Sequence, residues 1–396
     1  MASIVPICEK RWLFMMLSRQ FQEPEQSFFL FGPRGVGKST LLKMLHPDAL
    51  WIDLLRPQVL RTYLARPEYL YEFIAGNPDK HIVIIDEIQK APSLLTIIHG
   101  LIKEKRHLKF ILTGSSARKL KRTAADLLAG RALKRALHPF MACELKDQFS
   151  LTRALSQGLL PLVVTGKNAA DILETYISLY LQQEIQAEGL VRNLEAFSRF
   201  LEVVSFSHAS ILNITNVARE CEIKRKTVEN YIDILKELML ADTIEVFSKR
   251  AQRQLSAHPK FYLFDSGVFY HLHPKGFLDK PAEIEGLSLE GLVFQHLRAW
   301  CDYTSKKHDV YFWRTRSGLE VDFIVYGEMG LWALEVKHSS RISSTDLSGL
   351  KAFSVDYPEA TCILLYQGIE RSKRDNIWCL PCENFLKTII PHQPIH

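Results

Sequence analysis

The chain contains no run of roughly 18 apolar residues, the length a helix needs to cross a bilayer, so its 396 residues predict no membrane span. Cysteine is scarce and odd in number: seven, scattered along the chain, exclude a disulfide framework and fit a reducing cytoplasm. Cys379-Leu-Pro-Cys382 is a single C-x-x-C with no second pair to complete a four-ligand zinc site, so both read as structural thiols. The short apolar patch at Trp12–Leu17 is crowded by Glu9, Lys10 and Arg11, which argues against a signal peptide. Neither sign of charge dominates. A formal net charge of +6 is a mild basic bias, compatible with nucleic acid and insufficient to require it. Apolar content of 47% and a length suited to two or three domains describe ordinary soluble globular protein.

The chain does have a complete phosphate loop. Gly32-Pro33-Arg34-Gly35-Val36-Gly37-Lys38-Ser39 spells G-x-x-x-x-G-K-S. An apolar stretch, Ser27-Phe28-Phe29-Leu30-Phe31, precedes it as a strand, and Thr40-Leu41-Leu42-Lys43-Met44-Leu45 follows as a helix. The glycines let the backbone wrap an anion, and the helix amides point their partial positive charge at it. Lys38 is placed to neutralise the β- and γ-phosphates, and the Ser39 hydroxyl to ligate Mg²⁺. The candidate nucleotide contacts are Gly32, Pro33, Arg34, Gly35, Val36, Gly37, Lys38, Ser39 and Thr40. The pattern predicts ATP and Mg²⁺ as cofactors.

A second element follows at His81-Ile82-Val83-Ile84-Ile85-Asp86-Glu87, an apolar run ending in two carboxylates, the form of a buried parallel strand. Asp86 is expected in the Mg²⁺ shell and Glu87 as the base that orients the attacking water. A third strand at Lys109-Phe110-Ile111-Leu112 runs into Thr113-Gly114-Ser115-Ser116, where Thr113 and Ser115 are candidate γ-phosphate sensors. Arg131, in Leu128-Ala-Gly-Arg131-Ala132, and Arg34 are candidates to bring positive charge to the transition state, in cis or from a neighbouring copy in a homo-oligomer.

Taken in order with His138-Pro139-Phe140 and Glu144, these motifs resemble the prokaryotic AAA-type ATPases that carry a C-terminal domain of unknown function, DUF4143. Tyr180-Leu-Gln-Gln-Glu-Ile185 with Val191-Arg192, and Pro259-Lys-Phe-Tyr-Leu-Phe-Asp265-Ser-Gly267, extend the resemblance over nearly the whole chain. It implies an α/β P-loop ATPase over residues 1–150, a helical connector over 151–195 and a winged helix-turn-helix over 196–275. A restriction-endonuclease-like α/β domain over 276–396 completes that architecture.

The residues between 150 and 250 support that division. Tyr176, Leu179, Tyr180 and Ile185 recur at helical spacing after the punctuation Gly158-Leu-Leu-Pro161. Thr215 is expected to cap a helix through Cys221, and a second helix is expected from about Arg225 to Leu240. Lys224, Arg225 and Lys226 lie at its front, where a recognition helix meets DNA. Residues 215–250 nonetheless carry as many acids as bases, seven of each, so charge alone does not select DNA over a packing role.

The last hundred residues carry a second constellation. Glu290 stands early in an apolar helix. Val310-Tyr-Phe-Trp-Arg314, Glu320-Val-Asp322-Phe-Ile-Val-Tyr326 and Leu331-Trp-Ala-Leu-Glu335-Val336-Lys337 read as strands, the last two joined by the turn Gly327–Gly330. Alternation puts Glu335 and Lys337 on one face beside Asp322. This resembles the PD-(D/E)xK nuclease superfamily, and it implies a divalent ion shared by Asp322 and Glu335 with Glu290 closing the site. Lys337 is then the residue that positions water or offsets charge. Arg314, Arg316, Lys306 and Lys307 are candidate backbone contacts. The expected function is ATP hydrolysis coupled to DNA binding, with Mg²⁺-dependent cleavage as an added activity. The competing reading is a nucleotide-gated signalling switch whose C-terminal modules bind protein.

Overall fold

The computed structural model describes residues 17–104, 107–115, 128, 130–181, 185, 193–248, 258–277 and 279–395. The patch from Trp12 to Met16, Ser116, and most of the motif from Gln182 to Arg192 lie outside the described residues. The chain divides into two compact units, one of residues 21–138 with 237–239, the other of the remainder.

The first unit is an α/β layer structure around a five-stranded sheet. Strands β1 (Phe28–Phe31), β2 (Leu50–Asp53), β3 (Ile82–Asp86), β4 (Lys109–Gly114) and β5 (Leu133–Ala136) stand in the order β2-β3-β4-β1-β5. Every pairing is parallel. Helices cover both faces of such a sheet, so its central strands have no polar side: all four residues of β1 are buried. Helix α1 (Lys38–Leu45) follows β1, and α2 (Pro57–Ala65), α3 (Tyr69–Ala75) and α4 (Leu94–Glu104) connect the other strands. Their apolar faces, with Leu70, Ile74, Leu94, Leu95, Ile98 and Leu101, pack onto Ile52, Val83, Ile85, Phe110 and Leu112. Since all strands run the same way, their carboxyl ends share one edge. That edge collects the phosphate loop after β1, Asp86 at the end of β3 and Thr113 at the end of β4.

The second unit begins with short helices. Helix α5 (Ala142–Leu145) carries Glu144, whose carboxylate accepts from the Met141 and Gln20 backbone amides and pairs with Arg19 at 3.1 Å. Helix α6 (Leu151–Gln157) ends at Gly158, φ 70°, where a Cβ would come within 2.0 Å of the Asp265 carboxylate. Helices α7 (Pro161–Val164) and α8 (Ala169–Thr175) follow, the latter continuing as a π-helical turn over Tyr176–Leu181.

Helix α9 (Leu194–Ser205), strand β6 (Ser210–Ile211), helices α10 (Ile214–Glu220) and α11 (Arg225–Glu237), and strands β7 (Ala241–Ile244) and β8 (Lys260–Leu263) come next. The three strands form an antiparallel sheet in the order β6-β8-β7. Helix α10 is capped by Asn213, whose side chain accepts from the Asn216 amide. The cap expected at Thr215 therefore falls two residues late: the helix starts at Ile214, and only a side chain just outside it can reach back to the first amides. The second helix likewise stops before Leu240, because Met239 takes φ 57° and the chain turns into β7.

Asp265 caps helix α12 (Ser266–Leu272) by accepting from Gly267 and Val268, while its other oxygen accepts from Leu159 at 2.8 Å. The Leu-Phe-Asp-Ser-Gly motif is thus a joint between α12 and the end of α6. The long helix α13 (Pro281–Tyr303) starts nine residues ahead of Glu290. It packs on a six-stranded sheet of order β13-β14-β12-β11-β10-β9, built from β9 (His308–Arg314), β10 (Glu320–Gly327), β11 (Gly330–Lys337), β12 (Thr361–Tyr366), β13 (Ser372–Arg374) and β14 (Ile377–Pro381). Strands β9 to β11 form the expected antiparallel meander, with Gly327 opposite Gly330 at the turn. Helix α14 (Ser348–Asp356) carries the chain from β11 to the parallel β12, and α15 (Cys382–Thr388) follows β14. Cys379 and Cys382 are both fully buried free thiols, and burial pushes the Cys382 thiol up to about 12.

His296 on α13 is fully buried and held as the neutral ring. Its Nδ1 lies 2.8 Å from the Leu292 carbonyl and its Nε2 accepts the Ala142 amide at 2.8 Å, so a second proton would face an N–H donor. Burial lowers its pKa from 6.5 to about 4. The folded state then binds fewer protons than the unfolded chain between those values, so stability is complete above the upper one and falls as pH drops below it. The loss available from this site is about 3 kcal/mol. Denaturation midpoints measured across pH 4 to 6.5 should fall with acid in the wild type, and His296→Gln, which keeps an acceptor but does not titrate, should lessen that slope.

Candidate functional site

At the carboxyl edge of the parallel sheet, the phosphate loop takes the shape its glycines permit. Gly35 and Gly37 sit at φ 86° and 87°, in the left-handed region. A Cβ on Gly32 would come within 2.4 Å of the Leu137 carbonyl. Lys38 opens α1 with its side chain turned back over the loop. Its Nζ donates to the carbonyls of Gly32 at 2.6 Å and Pro33 at 3.2 Å, and the residue is buried. Val36 is buried, whereas Arg34 and Thr40 are exposed. The loop therefore presents backbone N–H groups and an ammonium that donates to the carbonyls of Gly32 and Pro33. That donor set fits the polyphosphate of a nucleotide.

Asp86 is the hub of the edge. The Ser39 hydroxyl donates to its Oδ2 at 2.7 Å, and the Thr113 hydroxyl donates to its Oδ1. Thr113 in turn accepts from the Glu87 amide at 3.1 Å. Fully buried, Thr113 orients Asp86 and the turn after it, and its hydroxyl is engaged inside the protein. Glu87 holds φ 62°, ψ 48°, a left-handed conformation that a non-glycine residue adopts only at a cost of about 1 kcal/mol or more. Its carboxylate receives the Gln89 amide, which also donates to Ser115 at 3.2 Å. Gln89 is a residue that sequence reasoning passed over. It stands in Ile-Ile-Asp-Glu-Ile-Gln, but nothing local shows that its side chain folds back onto Glu87.

Arg131 lies at the other end of the sheet. Strand β5 pairs with β1 so that Leu133 faces Phe28, and Arg131 precedes that pair, whereas the phosphate loop leaves β1 past Phe31. Four strand residues separate the two edges, roughly 13 Å. Its guanidinium is exposed and lies 3.5 Å from His99 Nδ1. An in-cis role at the loop of its own chain does not fit this placement.

In the second unit, the structure gathers Glu290, Asp322, Glu335 and Lys337 as the sequence spacing suggests, together with residues it did not flag. Asp322 falls at a bulge: between Val321 and Ile324, β10 advances one residue more than β9. Its Oδ2 accepts the Val336 amide at 2.9 Å. Lys337 Nζ donates to Glu335 Oε1 at 2.6 Å, while Glu335 Oε2 is buried with no partner. The cluster's centre is held by Lys260, the first residue of β8. Its Nζ is 3.2 Å from Glu290 Oε1 and 3.2 Å from Asp322 Oδ1, and it pairs with Glu320 as well. Tyr262, two residues along the same strand face, donates to Glu290 at 2.7 Å. Arg314 closes the outer side at 3.3 Å from Glu320.

The electrostatics follow from burial. Desolvation, and then the neighbouring Asp322, push Glu290 up to about 7 and Glu335 well above the usual carboxylate range. Burial alone would lower Lys260, but Glu290, Tyr262, Asp322 and Glu320 outweigh it and keep the ammonium charged. Among the described residues, no group of three or more His, Cys, Asp or Glu side chains is disposed to hold a metal ion. The expected ligand set thus meets a lysine where a divalent ion would stand. Lys260 was hidden in the sequence because it reads as one position in a short apolar strand.

On the recognition side, Lys224, Arg225 and Lys226 are exposed at the start of α11. Glu229 partly offsets them, 3.1 Å from Arg225 and 3.6 Å from Lys226. No described helix is long and apolar enough to cross a membrane.

Residues 24–146 match the family described as AAA domain, residues 148–279 a domain of unknown function (DUF8612), and residues 285–385 a further domain of unknown function (DUF4143). The chain thus carries an AAA-type P-loop ATPase domain at its N-terminal end and DUF4143 at its C-terminal end, as the sequence resemblance implied. The stretch between them has a family of its own. No curated protein matches the chain. Among solved structures, it is similar to the replication initiator DnaA bound to AMPPCP and single-stranded DNA, at 14% identity and a TM-score of 0.26, over 59% of this chain and 90% of that one. It is also similar to protein VC1899 from Vibrio cholerae, at 12% identity and a TM-score of 0.20, over 92% and 96% of the two chains. Both superpose too loosely to carry an argument.

Thr113→Val keeps the side-chain volume and removes the donor to Asp86. The Glu87 amide loses its acceptor as well; the lost bond to the charged Asp86, about 1.5 kcal/mol, should raise the Mg²⁺ concentration for half-maximal ATP turnover roughly tenfold while nucleotide binding in EDTA stays as in the wild type. An unchanged Mg²⁺ requirement would leave Asp86 positioned by Ser39 alone.

Proposed function

We propose that the protein binds and hydrolyses ATP at the carboxyl edge of the five-stranded sheet and couples that turnover to nucleic acid binding. The observation that carries the first half is the chain of contacts from Ser39 through Asp86 and Thr113 to Glu87, beside a phosphate loop with Lys38 folded over it. Mg²⁺ held by Ser39 and Asp86 would neutralise charge on the β- and γ-phosphates. Glu87 would accept the proton of the attacking water, and Gln89 would hold the Glu87 carboxylate ready for it. Ser115, tied to Gln89, belongs to the same network. Arg131, at the opposite edge, would reach a γ-phosphate from a second copy of the chain.

The second half rests on residues 194–263. Their order of helix, strand, two helices and two strands is that of a winged helix-turn-helix, with α11 as the recognition helix. Three cations at the amino end of α11 oppose its dipole, an arrangement that a phosphate backbone would relieve. Arg314 and the exposed Arg316, Lys306 and Lys307 could extend such a surface across the C-terminal sheet. Cleavage is not part of this reading, since Lys260 stands among the carboxylates that would hold the ion.

Two experiments test it. Lys38→Ala should abolish nucleotide binding, and Glu87→Gln should retain binding while slowing turnover by roughly two orders of magnitude or more; equal turnover in wild type and Glu87→Gln removes Glu87 from the base role. Replacing Lys224, Arg225 and Lys226 together by Ala should weaken DNA binding at every sequence tried and lower the salt slope by roughly 3. An unaltered slope, with a protein captured tightly by the same chain, would favour the signalling-switch reading.

A further inference from the structure

Lys260 and its acidic neighbours make a charge cluster that the ATPase reading does not use. The lysine side chain is only 3% exposed, and Glu290, Glu320 and Asp322 surround its ammonium. It comes from the stretch that matches one family, residues 148–279, and the carboxylates it meets come from the stretch that matches another, residues 285–385. Strand β8 is paired on both sides, with Ile211 and Ile244 opposite Lys260, so the ammonium is delivered by a fixed backbone.

Four of the six oxygens of Glu290, Asp322 and Glu335 are committed. Glu290 Oε1 takes both Lys260 and the Tyr262 hydroxyl. Asp322 gives Oδ1 to Lys260 and Oδ2 to the Val336 amide. Glu335 gives Oε1 to Lys337, leaving Oε2 buried and alone. Mg²⁺ or Mn²⁺ needs about six oxygens at roughly 2.0–2.2 Å. An ion bridging Glu290 and Asp322 would have to stand where the Lys260 nitrogen already is, and the two cations would repel across roughly an atomic diameter. The two open oxygens, Glu290 Oε2 and Glu335 Oε2, cannot compensate.

We propose that the Lys260 ammonium is the resident cation of the Glu290, Asp322 and Glu335 cluster, so that the site excludes divalent metal as long as that lysine is in place and becomes a divalent metal site when it is removed. Strand β8 is then joined to the C-terminal sheet by an internal ion pair at the position where the expected metal would stand.

The test is Mn²⁺ binding to the nucleotide-free full-length chain, read by calorimetry and by thermal melting with and without EDTA. The wild type should show no Mn²⁺ binding that Glu335→Gln abolishes. Lys260→Met should melt lower in EDTA, should recover on adding Mn²⁺, and should bind one Mn²⁺ per chain at least about tenfold more tightly than the wild type. Adding Glu335→Gln to Lys260→Met should remove that binding. Metal bound through Glu335 in the wild type overturns the proposal, as does a folded Lys260→Met chain with no gain in Mn²⁺ affinity. Lys260→Gln, which keeps a polar tip, replaces the methionine variant where that one does not fold. Should neither fold, the comparison of wild type with Glu335→Gln decides the question of exclusion.

Discussion

A charge taken out of water must meet a fixed partner or the fold cannot keep it, and the buried charged and polar hubs of this chain are arranged around that constraint. Asp265 sits at the end of α6 and caps α12 because three backbone amides converge on its two oxygens. Glu144 accepts two amides and a guanidinium, which fixes residues 19 and 20 against α5. Asp86 receives one hydroxyl on each oxygen, and Lys260 is enclosed by three carboxylates. Hydrophobic burial supplies the bulk of stability, but it is indifferent to register. These polar joints specify which strand end meets which helix.

The same constraint explains what could be read from sequence. A phosphate loop is local: its eight residues, the strand before and the helix after are contiguous, so glycine spacing and the position of Lys38 carry the geometry by themselves. Asp86 and Glu87 were legible because a buried parallel strand has no polar residues except where it ends. The meander holding Asp322 and Glu335 was legible through the Gly327–Gly330 turn and strand alternation. The partners of these residues were not. Thr113 looked like a free sensor because sequence shows a hydroxyl at a strand end, and only the pairing of β3 with β4 turns it toward Asp86. Asn213 was missed as a cap because the helix start was set two residues late. Arg131 was assigned by its type, and the parallel register of β1 and β5 sends it to the wrong edge for its own loop.

Lys260 is the sharpest case. In Pro259-Lys-Phe-Tyr-Leu-Phe it is one charge at the start of an apolar strand, which ordinarily reads as an exposed end. Its true partners lie 30, 60 and 62 positions further along the chain. Single-sequence reasoning has no term for such pairs: it recognises a ligand set by residue types and spacing, and the lysine that completes the set belongs to a different sheet. A constellation of carboxylates is evidence that a cation stands among them. It does not say whether the cation is a metal or a side chain.

The two sites consequently differ in what they leave available. At the phosphate loop, the ammonium of Lys38 donates to two backbone carbonyls, and hydrogen bonds to neutral carbonyls are weaker than those to a phosphate. At the C-terminal cluster, the ammonium of Lys260 already rests on carboxylates in a buried setting, where removing either partner strands a charge. The loop's donors point toward a site an anion can enter, whereas the Lys260 ammonium is already enclosed by carboxylates. Chemistry in this chain is therefore expected where partners are weak and exchangeable, at the sheet edge around Asp86, while in the C-terminal sheet the charges around Lys260 are already paired with one another.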